Sequence, residues 1–122
     1  YDLWDANIIC KNTADGEPLF SIIDPERSMW GDPVFDFICL ENFTAPLEKK
    51  SKSIEYYNRF SDVNIEINRE TKIRYAFAQG LMALIQETER YYRFRHVDKG
   101  WIFDTVSANV MYKSAFKVLS DE

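Results

Sequence analysis

The chain has 122 residues, of which 46% are hydrophobic and 16% aromatic, so it can form one domain with a single core and is too apolar to be disordered. No segment approaches the roughly 20 uninterrupted apolar residues of a membrane helix. The formal charge of −5 disfavours nucleic acid as the main partner, because neutralising phosphates requires clustered lysines and arginines. We therefore expect a globular protein that uses neither nucleic acid nor a membrane, with an acidic balance that suits cationic or neutral small partners.

Two cysteines, Cys10 and Cys39, form no metal-like spacing with the single histidine, His96. They are also too few for a disulfide scaffold. We predict that both are reduced and buried, and that the protein is cytoplasmic.

A β-hairpin is predicted near the start of the chain. Residues 7–10 and 19–23 are short runs rich in β-branched side chains, and the segment KNTADGEP between them is dense in turn formers. The dipeptide Asp15-Gly16 is expected near the tip of this hairpin.

A short buried helix is predicted next. The segment GDPVFDFICLENF begins with Asp32-Pro33, an N-cap residue followed by proline at the first helical position. Its expected inward residues are apolar: Val34, Phe37, Ile38 and Leu40. Residues 44–53 are polar and include three clustered lysines, which predicts a solvated loop.

Three further helices complete the prediction. SIEYYNRF favours a short helix with Ile54, Tyr57 and Phe60 on one side. The strongest periodicity predicts a long amphipathic helix over residues 69–94, capped by Asn68. Its apolar stripe recurs at spacings of three and four: Ile73, Phe77, Gly80, Leu81, Leu84, Ile85, Thr88 and Tyr91. After a break at residues 98–100, a last helix is predicted with Asp104 as its cap. Its expected inward residues are Val106, Val110 and Ala115 or Val118. The expected fold class is α+β and mainly helical, with a short hairpin packed on about four helices.

The first 24 residues contain a pattern that favours phosphoryl-transfer chemistry. In D-L-W-D-A-N, Asp2 and Asn7 satisfy the spacing D-L-x-x-x-N, in which the Asp orients an attacking hydroxyl and the Asn amide oxygen ligates magnesium. The predicted hairpin then returns the chain, so that Asp24 can bind a metal that bridges nucleotide phosphates.

The segments DLWDANII, SIIDPE and WGDPVFDF follow one another within residues 1–37. In this order they resemble the aminoglycoside phosphotransferase-like family of small-molecule kinases, which includes fructosamine kinase and choline kinase relatives. Beyond residue 37 only the general helical character agrees. The resemblance implies the carboxy-terminal lobe of a protein-kinase-like fold, with a catalytic and metal-binding core in residues 1–43 and a helical substrate-side region in residues 44–122.

The same resemblance implies a reaction and assigns roles to individual residues. The reaction is Mg²⁺-dependent transfer of the γ-phosphate of ATP or GTP to a hydroxyl of an aminoglycoside, sugar or amino alcohol. The implied roles are a catalytic base at Asp2, metal ligands at Asn7 and Asp24, support of the catalytic loop by Asp32 and Asp36, and a substrate cleft near Trp4 and Glu26.

Some features depart from the family pattern and leave alternatives open. Tyr1 stands where the family commonly has Gly, and Pro25-Glu26 replaces the usual Phe or Trp followed by Gly. The family's amino-terminal nucleotide-binding lobe has no counterpart here, so we expect that lobe to be missing from a longer protein and this chain alone to be a poor or inactive catalyst. The alternative function is a catalytically inactive kinase-like interaction module. Asp24 could instead cap a turn, and Asp32 with Asp36 could form a second metal pair.

Overall fold

The computed structural model of the chain describes residues 3–96 and 98–120. Helices make up 61% of these described residues and their strands form one antiparallel pair, so the class is α+β and mainly helical, as predicted. The strands and α-helices are β1 (Ile8–Asn12), β2 (Pro18–Ile22), α1 (Ser51–Phe60), α2 (Arg69–Arg93) and α3 (Lys99–Ser120). Short 3₁₀ helices occupy Asp5–Asn7, Pro25–Arg27, Pro33–Phe37 and Leu47–Lys50.

The predicted hairpin is present. Strands β1 and β2 pair antiparallel in a register that runs from Ile8 opposite Ile22 to Asn12 opposite Pro18. In the connecting loop the Gly16 N–H donates to the Thr13 carbonyl at 3.1 Å, and Gly16 takes a φ of 83°, which favours glycine. Most side chains of both strands are exposed, so the hairpin contributes little to the core.

The segment after Asp32 forms the predicted short helix, which is of the 3₁₀ type. The Asp32 carboxylate accepts the Val34 N–H at 3.0 Å, and Pro33 occupies the first turn. Val34 and the two apolar residues at the end of the turn, Phe37 and Ile38, are buried in the core.

Residues 44–53 are not the solvated loop that their lysines predict. Leu47–Lys50 is helical and continues into α1, and both Leu47 and Lys50 are buried. The Lys50 ammonium donates to the carbonyl oxygens of Leu40 and Asn42, the second at 2.7 Å. These two acceptors compensate for the burial of the charge, although burial still lowers the pKa of Lys50.

Helix α1 packs its apolar side on the short helix at Pro33–Phe37. Ile54 is buried, and the Tyr57 ring meets the Phe37 ring edge-on with centroids 5.7 Å apart. The prediction for Phe60 is wrong, because this side chain at the helix end is 90% exposed.

Helix α2 has the predicted extent and the predicted cap, in which the Asn68 side chain accepts the Thr71 N–H at 2.9 Å. Its predicted apolar face is wrong, since Phe77, Leu84 and Tyr91 are exposed. The buried positions are instead small or polar: Thr71, Tyr75, Ala76, Ala78, Gln79, Met82 and Ala83. Small side chains allow a neighbouring helix to approach closely, and the buried Tyr75 and Gln79 satisfy their polar atoms at the Ala45 carbonyl.

Helix α3 runs antiparallel to α2 and begins five residues before its predicted cap, Asp104. Asp104 therefore lies inside the helix and is not its cap. The inward residues are Ser107, Ala108, Met111 and Ala115. Ala115 was predicted to face inward, whereas Val106 and Val110 are exposed, because the small residues on α3 pack against the small residues on α2.

The prediction that both cysteines are buried is wrong for Cys10, which lies exposed on β1, while Cys39 is partly buried; the two do not form a disulfide. Among the described residues, no helix combines the length and apolar character that crossing a bilayer requires.

The buried lysine gives a testable prediction. We expect Lys50→Met to lower the free energy of unfolding by about 2–3 kcal/mol, because it removes two charge-assisted hydrogen bonds to the carbonyl groups of Leu40 and Asn42. Urea denaturation monitored by circular dichroism measures the change. The neighbouring variant Lys49→Met, at an exposed position, is the control and should change stability by less than about 0.5 kcal/mol. Equal effects of the two variants would contradict the structural role of Lys50.

Candidate functional site

The open end of the hairpin brings two of the predicted site residues close together along the backbone. The Ile23 N–H donates to the Asn7 carbonyl at 3.0 Å, one position beyond the last paired residues of β1 and β2. Asn7 itself is 7% exposed and ends the first 3₁₀ helix, where its N–H donates to the Trp4 carbonyl at 2.9 Å. Asp24 directly follows Ile23, so both predicted metal ligands lie at the same end of the hairpin.

Asp24 has an unusual backbone conformation. Its φ of 59° and ψ of 55° are left-handed, and its side chain makes no capping hydrogen bond to the 3₁₀ helix Pro25–Arg27 that follows. Left-handed backbone is disfavoured for non-glycine residues, although Asp and Asn tolerate it best, and such strain concentrates at functional sites. The interpretation of Asp24 as a turn cap therefore finds no hydrogen bond to support it.

A cavity of about 190 Å³ opens beside Asp24. Asp36 lines the same cavity, together with Arg27, Ser28 and the apolar residues Leu3, Ile22, Ile23 and Pro25. The chain thus presents two carboxylates and one guanidinium at the hairpin end.

Asp32 and Asp36 occupy different environments. Asp32 caps its own helix and pairs with Arg74 of α2, the Oδ2 to Nη1 distance being 2.9 Å. Asp36 is exposed and faces the cavity that contains Asp24. Asp32 and Asp36 also both line a third, small cavity, so the alternative of a second metal pair stays a prediction, and the ion pair with Arg74 ties Asp32 to the helical region. Their predicted support of the catalytic loop stays a prediction.

Trp4 lines a second, larger cavity of about 240 Å³ between the first 3₁₀ helix and the two long helices. The cavity has apolar and polar walls. The apolar side includes Trp4, Phe43, Met82 and Ile85, and the charged side chains are Asp5, Arg27, Glu41, Glu89, Arg93 and Asp104. Arg27 borders this cavity and also the smaller one, so the two cavities are neighbours.

The charges of the larger cavity are only partly balanced. Glu89 forms ion pairs with Arg27 and with Arg93, the second at 3.2 Å. Four carboxylates and two guanidinium groups line the cavity, which leaves it acidic. Burial raises the pKa of Asp104; the Arg93 and Arg90 charges oppose this shift and the Glu89 charge adds to it.

Two predicted site residues lie outside what the structure describes. Asp2, the predicted catalytic base, is not among the described residues. For Glu26 only the backbone, within the 3₁₀ helix Pro25–Arg27, is described, so its predicted position in the cleft lies outside as well.

Sequence reasoning missed the acidic residues contributed by the long helices. Glu89 and Asp104 are 65 and 80 positions from Asp24, so no local motif connects them. One signal was available: Gln79, Gln86 and Glu89 are polar yet fall at helical spacing with the buried Met82. Polar residues on the inward face of a helix require partners or a cavity.

The donor chemistry of the hairpin end suits magnesium. An amide oxygen and a carboxylate are oxygen donors, and Mg²⁺ is held in proteins by one or two carboxylates plus waters and substrate phosphates. Within residues 3–96 and 98–120, no group of three or more His, Cys, Asp or Glu side chains is arranged to hold a metal ion by itself. A magnesium site here would therefore depend on oxygen ligands from a bound nucleotide.

Comparison of the chain with protein-family models, with curated proteins and with solved structures found no match.

The raised pKa of Asp104 predicts a pH-dependent gain in stability on removing its charge. Because the folded chain binds this proton more tightly than the unfolded chain, stability falls as pH rises from the ordinary carboxyl pKa through the folded value. We expect Asp104→Asn to raise the midpoint of thermal unfolding at pH 7, with the gain shrinking as the pH approaches 3. Asp62→Asn, at an exposed carboxylate, should show no such trend. A gain independent of pH would show that Asp104 does not cause the effect through its charge.

Proposed function

We propose that this chain is the carboxy-terminal lobe of a kinase-like phosphotransferase, which transfers the γ-phosphate of ATP or GTP to a hydroxyl of a small molecule. The observation that carries the proposal is the hydrogen bond from the Ile23 N–H to the Asn7 carbonyl, which holds Asn7 and Asp24 at one end of the hairpin. The resemblance of residues 1–37 to the aminoglycoside phosphotransferase-like family supplies the reaction class. The left-handed backbone at Asp24 supports a functional reason for its position.

Asn7 and Asp24 would hold magnesium through their side-chain oxygens. Bound magnesium neutralises charge on the nucleotide phosphates and orients them for transfer. The two residues sit at opposite sides of the hairpin end, so their positions are fixed relative to each other by backbone hydrogen bonds. Fixed positions matter because positioning and electrostatics supply most of the acceleration in phosphoryl transfer.

Asp2 is proposed as the residue that accepts the proton of the acceptor hydroxyl. The acceptor oxygen then forms a bond to the γ-phosphorus while the bond from the γ-phosphorus to the β,γ-bridging oxygen breaks, and the nucleoside diphosphate leaves with that electron pair. Asp2 precedes Trp4 by two positions, and Trp4 lines the larger cavity. Leu3, the residue next to Asp2, lines the smaller cavity, so Asp2 is close in sequence to both cavities, and we assign the acceptor to the larger one because of the chemistry of its lining.

The lining of the larger cavity favours an acceptor that carries both hydroxyl and amino groups. Trp4 and Phe43 offer apolar surface, and the carboxylates Asp5, Glu41 and Asp104 exceed the guanidinium charge that Arg27 and Arg93 supply. A cationic amine would be attracted to such a site, whereas an anionic acceptor would be repelled. An aminoglycoside, amino sugar or amino alcohol satisfies these conditions.

The proposed activity also needs a nucleotide-binding lobe from the same protein. The exposed apolar side chains of the hairpin region support this part of the proposal: Ile9, Leu19, Phe20, Ile22, Ile23, Met29 and Trp30. Phe20 and Ile22 share one face of the hairpin and Ile9 and Leu19 share the other, and exposed apolar surface of this kind marks an interaction site.

The metal site can be tested on the 122-residue chain. We expect Mn²⁺, a paramagnetic substitute for Mg²⁺, to broaden the amide resonances around Asn7 and Asp24 when ADP is present. Asp24→Asn should remove most of this broadening, because the amide lacks the negative charge that attracts the cation. Asp15→Asn, at the exposed hairpin tip, is the control and should leave the broadening unchanged. Broadening that is absent, or unaffected by Asp24→Asn, would contradict the metal site.

The transfer reaction is tested in the two-lobe protein that the proposal requires. With ATP and Mg²⁺, we expect ADP release coupled to phosphorylation of an amino-containing acceptor, in a screen of aminoglycosides, ketosamines, choline and neutral sugars. Asp2→Asn should reduce turnover by at least about 100-fold, the usual contribution of a general base, with nucleotide binding retained. Unchanged turnover in this variant would exclude Asp2 as the base.

A further inference from the structure

A cavity of about 450 Å³ lies where α2 begins and α3 ends. Its walls come from the first turn of α2, the last turns of α3 and the turn at Pro46 and Glu48 that leads into α1. Three of the residues that line it are basic: Arg69, Lys72 and Lys117. We call it the basic cavity.

The basic cavity is separate from the candidate functional site. Arg69 and Glu89 both lie on α2, and the 20 positions between them correspond to about 30 Å along the helix axis. The basic cavity also shares no lining residue with the two cavities at the hairpin end. A ligand of the basic cavity is therefore independent of the proposed function.

The charge of the basic cavity is opposite to that of the whole chain. Its lining contains three cationic side chains and one carboxylate, Glu48, which leaves two positive charges in excess, whereas the chain has a formal charge of −5. Arg69 and Lys117 belong to different helices, so the fold and not a local basic run brings the cations together. Like charges gathered in a concave site repel one another, and a bound anion removes that repulsion.

Glu48 holds one of the three cations in place. Its carboxylate Oε1 lies 2.6 Å from the Lys72 ammonium, and the hydrogen bond from Lys72 lowers the pKa of Glu48, so the pair stays ionised at neutral pH. Lys72 is thus already ordered at the cavity wall before a ligand arrives. Ordering a flexible side chain in advance reduces the entropic cost of binding.

Two of the cations lie where the helix itself favours acidic residues. Arg69 is the first residue of α2 and Lys72 follows three positions later, yet the start of a helix carries partial positive charge that disfavours basic side chains. Glu70, the acidic residue of this turn, pairs with Arg74 at 4.0 Å and does not line the cavity. An anion bound in the basic cavity would compensate for both the side-chain charges and the charge of the helix end.

We propose that the basic cavity binds the phosphate group of a small phosphorylated molecule. A phosphate monoester carries about −1.5 to −2 charges at neutral pH, which matches the two positive charges in excess. The Arg69 guanidinium offers paired N–H donors suited to phosphate oxygens, and the lysine ammonium groups act as point charges. The Ser114 hydroxyl in the same lining offers a further donor.

The size of the basic cavity favours a molecule that extends beyond the phosphate itself. Small-molecule pockets commonly have volumes of roughly 300–1,000 Å³, and the basic cavity falls within this range. Pro46 and Val118 supply apolar wall against which an uncharged body can pack. A sugar phosphate has both parts, an anionic group and a neutral body.

Amide NMR spectra of the isotope-labelled chain test the proposal with three probes at constant ionic strength: glucose 6-phosphate, glucose and succinate. We expect glucose 6-phosphate to shift the resonances at the start of α2 and the end of α3 saturably, with a Kd of about 1 mM. Glucose should cause no shift there. Succinate, a dicarboxylate whose two charges are far apart, should bind at least about fivefold more weakly.

Substitutions on the two helices test whether both contribute to one site. Arg69→Gln and Lys117→Gln should each raise the Kd for glucose 6-phosphate at least about fivefold, because each removes a charge-assisted contact. Lys113→Gln is the matched control, since Lys113 is an exposed lysine of α3 that does not line the cavity, and it should change the Kd by less than about twofold.

Several outcomes would overturn the proposal. Shifts that do not saturate, or that occur only at the hairpin end, would show that the basic cavity does not bind phosphate. Equal affinity for succinate and glucose 6-phosphate would show that it does not select phosphate. Equal effects of Lys113→Gln and Lys117→Gln would show that only the overall charge of the chain matters.

Discussion

The structure depends on one constraint, which is that four polar side chains on the inward side of α2 take their partners from other segments. Tyr75 and Gln79 reach the Ala45 carbonyl, Gln86 accepts from the Ser107 hydroxyl, and Glu89 pairs with Arg27. These bonds join α2 to three segments: the chain before α1, helix α3 and the hairpin end. Because leaving any of these groups unpaired in the interior would cost about 1–3 kcal/mol, the packing of the three segments on α2 is specified by hydrogen bonds as well as by apolar contact.

The sequence predicted the features that depend on local rules. The hairpin follows from β-branched runs and turn formers, and the caps at Asp32 and Asn68 follow from side chains that can bond the first free N–H groups. The ends of α2 were predicted to within one residue for the same reason. These rules involve only residues within a few positions of one another, so the amino-acid sequence is sufficient to predict such features.

The inward faces of α2 and α3 could not be predicted from periodicity. The apolar periodicity of α2 predicts an inward face that includes Phe77 and Leu84. The inward face is instead the one with small and polar residues, which permit a closer approach to α3 and, at Gln86, form a hydrogen bond with it. Likewise the sequence predicts that Lys50 lies in solvent. Lys50 is buried instead, because the carbonyl groups of Leu40 and Asn42 accept hydrogen bonds from its ammonium group. The acidic cavity combines residues from five segments, and only the assembled fold shows that they meet.

Arg27 connects the electrostatics of the two cavities. It borders both of them and is paired with Glu89, which is paired in turn with Arg93 on the far wall of the larger cavity. Under the proposed function, a cationic acceptor that competed for Glu89 would loosen Arg27, and an anionic nucleotide at the hairpin end would attract Arg27 away from Glu89. Each ligand would then alter the free energy of binding of the other, and thermodynamic linkage would make the two effects equal in size. A single guanidinium group would thus couple the two ligands without any movement of a helix or a strand.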